Sequence, residues 1–134
     1  MTPTVSSRLH LRLQEAFDET YKRVLTALKA AGFDIVSEVD LQDALARRVD
    51  GRIKPNKVIF VFHAELTHRA LTVAPEIGFR MVHPVAVTQT LDDQVEINAA
   101  DPMGLLRDQP EGYLRPIVEE LRARLDQAVE ALKA

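Results

Sequence analysis

Residues 57–71, KVIFVFHAELTHRAL, join the most apolar strand candidate of the chain to its densest polar cluster. The run from Val58 to Phe62 has no polar interruption, which is typical of a central strand covered on both faces. Four polar residues follow where this strand ends: His63, Glu65, His68 and Arg69. Polar groups at the end of a rigid strand often form binding sites. The stretch therefore predicts both the centre of a sheet and a candidate site.

Upstream of this stretch the hydrophobic period changes from strand-like to helical. Residues 8–13 alternate leucine with a charged residue or histidine, which predicts a strand with one solvated face. Residues 17–31 follow helical spacing, and Gly32 stands where a left-handed helix stop belongs. A β-α unit is therefore expected at the start of the fold.

The next segment alternates again over residues 33–40, which predicts a second strand. Strict alternation places Phe33, Ile35 and Val39 on its covered face and Asp34, Val36 and Glu38 on the other. Asp40 can cap a short helix over residues 41 to about 49 by accepting hydrogen bonds from its first-turn amides.

Downstream of the central strand the pattern predicts one short helix, two strands and a long helix. The short helix covers residues 65 to about 73 and must end before Pro75. Strands are expected over about 80–91 and over 95–99, joined by a turn, and an amphipathic helix runs from about residue 113. The longer strand would share one face among Met81, His83, Val85, Val87 and Leu91.

The element order is thus β-α-β-α-β-α-β-β-α within a single domain, residues 1–134. It predicts an α+β fold with a mostly antiparallel five-stranded sheet, helices packed on one face and a long C-terminal helix. The open face would carry an apolar middle and a charged margin, to which belong Arg8, His10, Arg12, Asp34, Val36, Glu38, Val82 and Ala86. Contact surfaces have this composition, so we expect a homodimer formed through the open sheet face.

Composition narrows the classes of partner and compartment. The 134 residues carry 17 Lys and Arg against 20 Asp and Glu, a net charge of −3, which gives no overall field for nucleic acid or an anionic membrane. The absence of cysteine excludes thiol chemistry and fits a cytoplasmic protein. No signal peptide and no apolar run of ~18 residues is present, so no membrane association is expected.

Four motifs in order, LKAAGFDIVSEVD, HAELTHRAL, APEIGF and INAADPMGLL, carry a family resemblance over about two-thirds of the chain. With these motifs, residues 21 to about 108 resemble the domain-of-unknown-function 302 family of small bacterial and archaeal proteins. The resemblance implies a compact α+β fold, commonly dimeric, and no established enzymatic activity. Many members of the family have Cys-Asn-Pro and Pro-Cys-Asn where this chain has Phe62-His63-Ala64 and Val82-His83-Pro84, so an activity inferred from those cysteines does not carry over.

Three histidines, His63, His68 and His83, form the only cluster with metal-ligand chemistry. His63 and His68 lie five residues apart across a strand-to-helix corner, which is not the one-face pairing of a metalloprotease helix. Strand alternation puts His83 among apolar residues, where it needs a hydrogen bond or a ligand. A core histidine satisfied by its neighbours is the simpler interpretation.

The candidate ligand pocket lies between the 65–73 helix and the strand that carries His83. Its residues would be His63, Glu65, His68, Arg69 and His83, although a solvated helix face is the default for the helical ones. A basic loop adds five cations: Arg47, Arg48, Arg52, Lys54 and Lys57. Without interleaved aromatic residues or a Gly-rich cradle this loop is expected to be solvated, and nucleic-acid binding is not favoured.

No dinucleotide, Walker, GxSxG or HExxH motif occurs. The sequence therefore favours a homodimeric small-ligand-binding or structural protein without catalysis, of unknown cofactor. The alternative is a metal- or haem-associated, redox-linked protein that uses the histidine cluster.

Overall fold

The structure is a computed structural model that describes residues 8–108 and 112–133. It confirms the α+β fold, the order of the predicted elements and the long C-terminal helix. The five strands are β1 (Arg8–Leu13), β2 (Asp34–Asp40), β3 (Asn56–Phe62), β4 (His83–Gln89) and β5 (Val95–Ala100). The helices are α1 (Phe17–Ala30), α2 (Leu41–Ala46), α3 (Ala64–Val73), α4 (Leu105–Asp108) and α5 (Arg115–Lys133). Short 3₁₀ segments occupy Pro75–Arg80, Pro102–Gly104 and Gly112–Leu114.

The sheet is antiparallel throughout, in the order β1-β5-β4-β3-β2. Alternate side chains of the three central strands are buried beneath the helices, namely Ile59, Val61, His83, Val85, Val87, Val95, Ile97 and Ala99. Helices α1 and α5 pack against each other over this face. Burial of one alternate set is what an antiparallel sheet covered on one side requires.

Helix α1 ends just before Gly32, the glycine that the sequence predicts as a helix stop. Gly32 has a φ of 95°, a conformation that residues with a Cβ rarely adopt. Its amide donates to the carbonyl of Lys29 at 3.0 Å, and the amide of Phe33 donates to that of Leu28 at 3.0 Å. These two bonds form a Schellman motif, which turns the chain into β2.

Strand β2 departs from strict alternation because a bulge interrupts its pairing with β3 between Ile35 and Ser37. Because of the extra residue, each side chain after the bulge lies on the opposite face of the sheet from the one that strict alternation predicts. Glu38 therefore pairs with the buried Ile59, and its carboxylate accepts a hydrogen bond from the hydroxyl of Tyr21 on α1 at 2.5 Å. The prediction that Glu38 lies on the open face and Val39 on the covered face was wrong for this reason.

The observed boundaries of α2 and β4 also differ from the predicted ones. Asp40 caps α2 through the amide of Asp43 at 3.0 Å, as expected, but the helix ends at Ala46. Strand β4 is shorter than predicted because a 3₁₀ segment occupies residues 75–80 and the hairpin turn begins before Leu91, which is 92% exposed. Asp93 has a φ of 61° in that turn, and its carboxylate forms an ion pair with the ammonium of Lys54 at 2.6 Å.

The central strand β3 is covered fully on only one side. Ile59 and Val61 are buried, whereas Val58, Phe60 and Phe62 on the open face are partly exposed. The prediction that β3 is covered on both faces is therefore met on one face only, within the described residues. Three half-covered apolar side chains in one strand leave an apolar middle on the open sheet face.

Candidate functional site

His63 closes the junction between β3 and α3. It is the N-cap residue of α3, and its Nδ1 accepts a hydrogen bond from the amide of Leu66 at 3.3 Å. Its ring meets Phe33 edge-on, with 5.7 Å between ring centroids. Its Nε2 lies 2.9 Å from the position that a Cβ would take on Gly32. The glycine thus ends α1 and also leaves room for the histidine.

His83 lies on the covered face of β4 and is only 5% exposed. It pairs across the sheet with Val61 and meets Phe33 edge-on at 6.4 Å between centroids. Its Nε2 is buried and has no hydrogen-bond partner in the described structure. Burial lowers the pKa of His83 to about 4, because the charged imidazolium would lose its hydration there. The ring is therefore neutral at neutral pH.

The fold thus brings His63 and His83 to the same aromatic ring, that of Phe33. It leaves three other predicted residues exposed on α3: Glu65, His68 and Arg69. Within residues 8–108 and 112–133, no three His, Asp or Glu side chains form a group that could hold a metal ion. The metal or haem alternative, which required His63, His68 and His83 to converge, is therefore not favoured.

A pocket of about 180 Å³ lies beside His83, where β4 begins and β5 ends. Its lining residues are Phe79, Arg80, Val82, His83, Pro84, Ala100, Asp101, Pro102, Leu105 and Leu121. None of them belongs to α3, so this pocket lies elsewhere than between α3 and β4. A cavity of roughly 150 Å³ can hold a benzene molecule, which makes a ligand with a single ring a reasonable fit.

Asp101 is the acidic residue of this pocket wall, and its side chain is 9% exposed. One carboxylate oxygen accepts from the amide of Met103 at 2.9 Å, and the other accepts from Nη1 of Arg122 on α5 at 2.5 Å. The sequence reasoning did not assign Asp101 to a site. The Asp-Pro pair directly after β5 is a usable signal, because it ends the strand and caps the 3₁₀ segment that follows.

The basic loop is partly neutralised by the protein itself. Arg47 pairs with Asp43 at 3.0 Å, Lys54 with Asp93 at 2.6 Å, and the ammonium of Lys57 lies 4.5 Å from the ring centre of Tyr21. Three of the five cations thus have partners within the chain.

Tyr21 on α1 contacts side chains of both β2 and β3. Burial and the carboxylate of Glu38 raise the pKa of Tyr21 well above its ordinary value. The phenol therefore serves as a hydrogen-bond donor to Glu38, and Lys57 packs over its ring. This cluster ties the helix to β2 and β3.

Comparison with known proteins agrees with this architecture. No helix of the described residues is long and apolar enough to cross a membrane. The fold is similar to the crystal structure of an uncharacterized conserved protein DUF302 from Bacillus stearothermophilus, with a TM-score of 0.86 and 17% identity over 95% of this chain and 98% of that chain. No curated protein matches the sequence. The model of the family described as Domain of unknown function DUF302 matches residues 9–132, and the chain therefore belongs to the DUF302 family.

Proposed function

We propose that the protein is a homodimeric, non-catalytic domain of the cytoplasm that binds a small ligand in the pocket beside His83. One observation carries the proposal: a buried imidazole with an unpartnered Nε2 belongs to the lining of a pocket of about 180 Å³. A buried polar atom without a partner costs roughly 1–3 kcal/mol. A ligand that hydrogen-bonds to the ring would recover part of that cost.

The chemistry of the pocket points to a compact ligand that is mostly apolar. Seven of its ten lining residues are apolar, and both oxygens of Asp101 are already hydrogen-bonded. His83 is neutral, so its ring offers one donor and one acceptor nitrogen rather than a charge. Small sites of this kind bury a ring or short aliphatic group and fix it with few polar contacts.

The homodimer rests on the open sheet face. Its centre is apolar and only partly covered: Val58, Phe60, Phe62, Pro84 and Ala86. Its β1 margin is charged and polar: Arg12 forms an ion pair with Glu96, and the ring of His10 lies 3.3 Å from the same carboxylate. An apolar centre with a polar margin is the composition of an interface core and rim, and a twofold axis would let the same patch meet its own copy.

The ligand proposal is tested by titrating the ¹⁵N-labelled protein with phenol, benzoate and benzyl alcohol and following amide shifts. At least one probe is expected to move the amides of His83, Leu105 and Phe79 in a saturable way. The variant Leu105→Trp, which fills the pocket, should abolish the response, whereas Leu91→Trp on the exposed hairpin should keep it. Absence of saturable shifts for all three probes would sink the ligand proposal.

The dimer is tested by sedimentation at high micromolar concentration. The native protein is expected to sediment as a dimer, and Phe60→Lys should shift it to a monomer because it places a charge at the apolar centre. Leu91→Lys makes the same kind of substitution at an apolar side chain of the hairpin that is 92% exposed, and it should leave the dimer intact. A monomeric native protein would contradict this part of the proposal.

A further inference from the structure

The cap that His63 provides to α3 depends on its protonation state. Nδ1 accepts the amide proton of Leu66 at 3.3 Å, so this nitrogen must carry no proton of its own. In the neutral ring the single N–H is then on Nε2, which lies beside Gly32. In the imidazolium both nitrogens are donors, and no lone pair remains for the Leu66 amide.

We propose that His63 is a proton-sensitive cap, and that protonation of its imidazole releases the first turn of α3 from the end of β3. The amides in the first turn of a helix have no intrahelical partner, and a side-chain acceptor at the N-cap satisfies one of them. Protonation removes that acceptor. It also places a positive charge at the positive end of the helix dipole, which is unfavourable.

This response is built from contacts on several elements. The ring is held between the cap bond, the edge of Phe33 and the backbone of Gly32. The ionisable residues nearest to it along these elements are Lys29 on α1, Asp34 on β2, Glu65, His68 and Arg69 on α3, and His83 on β4. None of them forms a hydrogen bond or an ion pair with His63 among the described residues. No neighbouring acid is therefore in place to hold the protonated ring in the capping geometry.

The structure separates this proton from the one that His83 binds. Burial lowers the pKa of His83 to about 4, so that ring stays neutral above about pH 5. Changes observed above about pH 5 therefore do not arise from protonation of His83.

The test is NMR of the full chain between about pH 8 and pH 5. Imidazole ¹⁵N shifts are expected to show neutral His63 with its proton on Nε2. The protection factor of the Leu66 amide, corrected for the intrinsic exchange rate, is expected to fall about fivefold as the ring becomes protonated, which is the typical loss when a cap is removed.

Two variants assign the cause. His63→Asn keeps a side-chain acceptor that does not titrate, so its Leu66 protection should be constant with pH. His68→Gln removes an exposed histidine from the same helix and should behave like the native protein. The inference is overturned if neutral His63 carries its proton on Nδ1, if native Leu66 protection does not change, or if His63→Asn shows the same fall as the native protein.

Discussion

Acid is expected to destabilise this protein through His83. The ring is 5% exposed, and burial lowers its pKa from 6.5 to about 4 in the folded chain. The unfolded chain therefore binds a proton at His83 between these two pH values while the folded chain does not. Stability contributed by the neutral ring is complete above the unfolded pKa and is lost as the pH falls toward the folded pKa.

The size of the effect follows from the shift. Each pH unit of separation is worth about 1.4 kcal/mol, and the downward shift from 6.5 to about 4 covers roughly two and a half units. Between about pH 7.5 and pH 4 the loss is therefore about 3 kcal/mol. Single domains have a free energy of unfolding of only about 5–15 kcal/mol, so this one group would account for much of the acid sensitivity.

The assay compares the native protein with His83→Leu by urea unfolding at a fixed protein concentration and several pH values. Carboxylates titrate in both proteins, so the difference between their free energies of unfolding isolates His83. That difference is expected to move by about 3 kcal/mol in favour of the variant on going to pH 4. His68→Leu, at an exposed site, should show no such change. A difference that stays constant within about 1 kcal/mol would refute the argument from burial.

Three further predictions concern stability, and the last of them also concerns the ionisation of Tyr21. Gly32→Ala is expected to cost about 2 kcal/mol in urea unfolding, because φ is 95° and the new Cβ would meet an imidazole at 2.9 Å, whereas Gly51→Ala should change less than about 0.5 kcal/mol. Asp101→Ala should cost about 2 kcal/mol by the same measurement, since it removes an acceptor that is 9% exposed and joins a cap to α5. Tyr21→Phe should cost about 1 kcal/mol by breaking the hydrogen bond to Glu38, and in the native protein the absorbance of the Tyr21 phenolate should still be absent at about pH 11.

Hydrophobic periodicity was sufficient to predict most of the fold. It located β1, the helix that ends at Gly32, the apolar central strand and the long last helix, because each has a strong period and a clear stop signal. It failed after the bulge in β2, where one extra residue reverses Glu38 and Val39. A bulge leaves the composition of a strand unchanged, so alternation alone cannot reveal it.

The candidate site was predictable only in its parts. Alternation correctly predicted that His83 is buried, and the predicted end of the central strand located His63 at the junction where it caps α3. Both rings meet Phe33, and the pocket is lined by residues within 79–84 and 100–105 and by Leu121 rather than by α3. Both arrangements depend on packing between elements distant in sequence. Sequence spacing carries no distance across such contacts.

The order of strands in the sheet has a consequence during synthesis. β1 is made before the other strands, yet within residues 8–108 and 112–133 it pairs with β5 alone, so that Arg8 pairs with Ala100 and Leu13 with Val95. At roughly 5–20 residues per second, a ribosome needs several seconds to produce that partner after β1 has emerged. During this interval β1 has both edges unpaired and its leucines uncovered. The nascent chain is therefore expected to rely on chaperones or on local helix formation until the β4-β5 hairpin is complete.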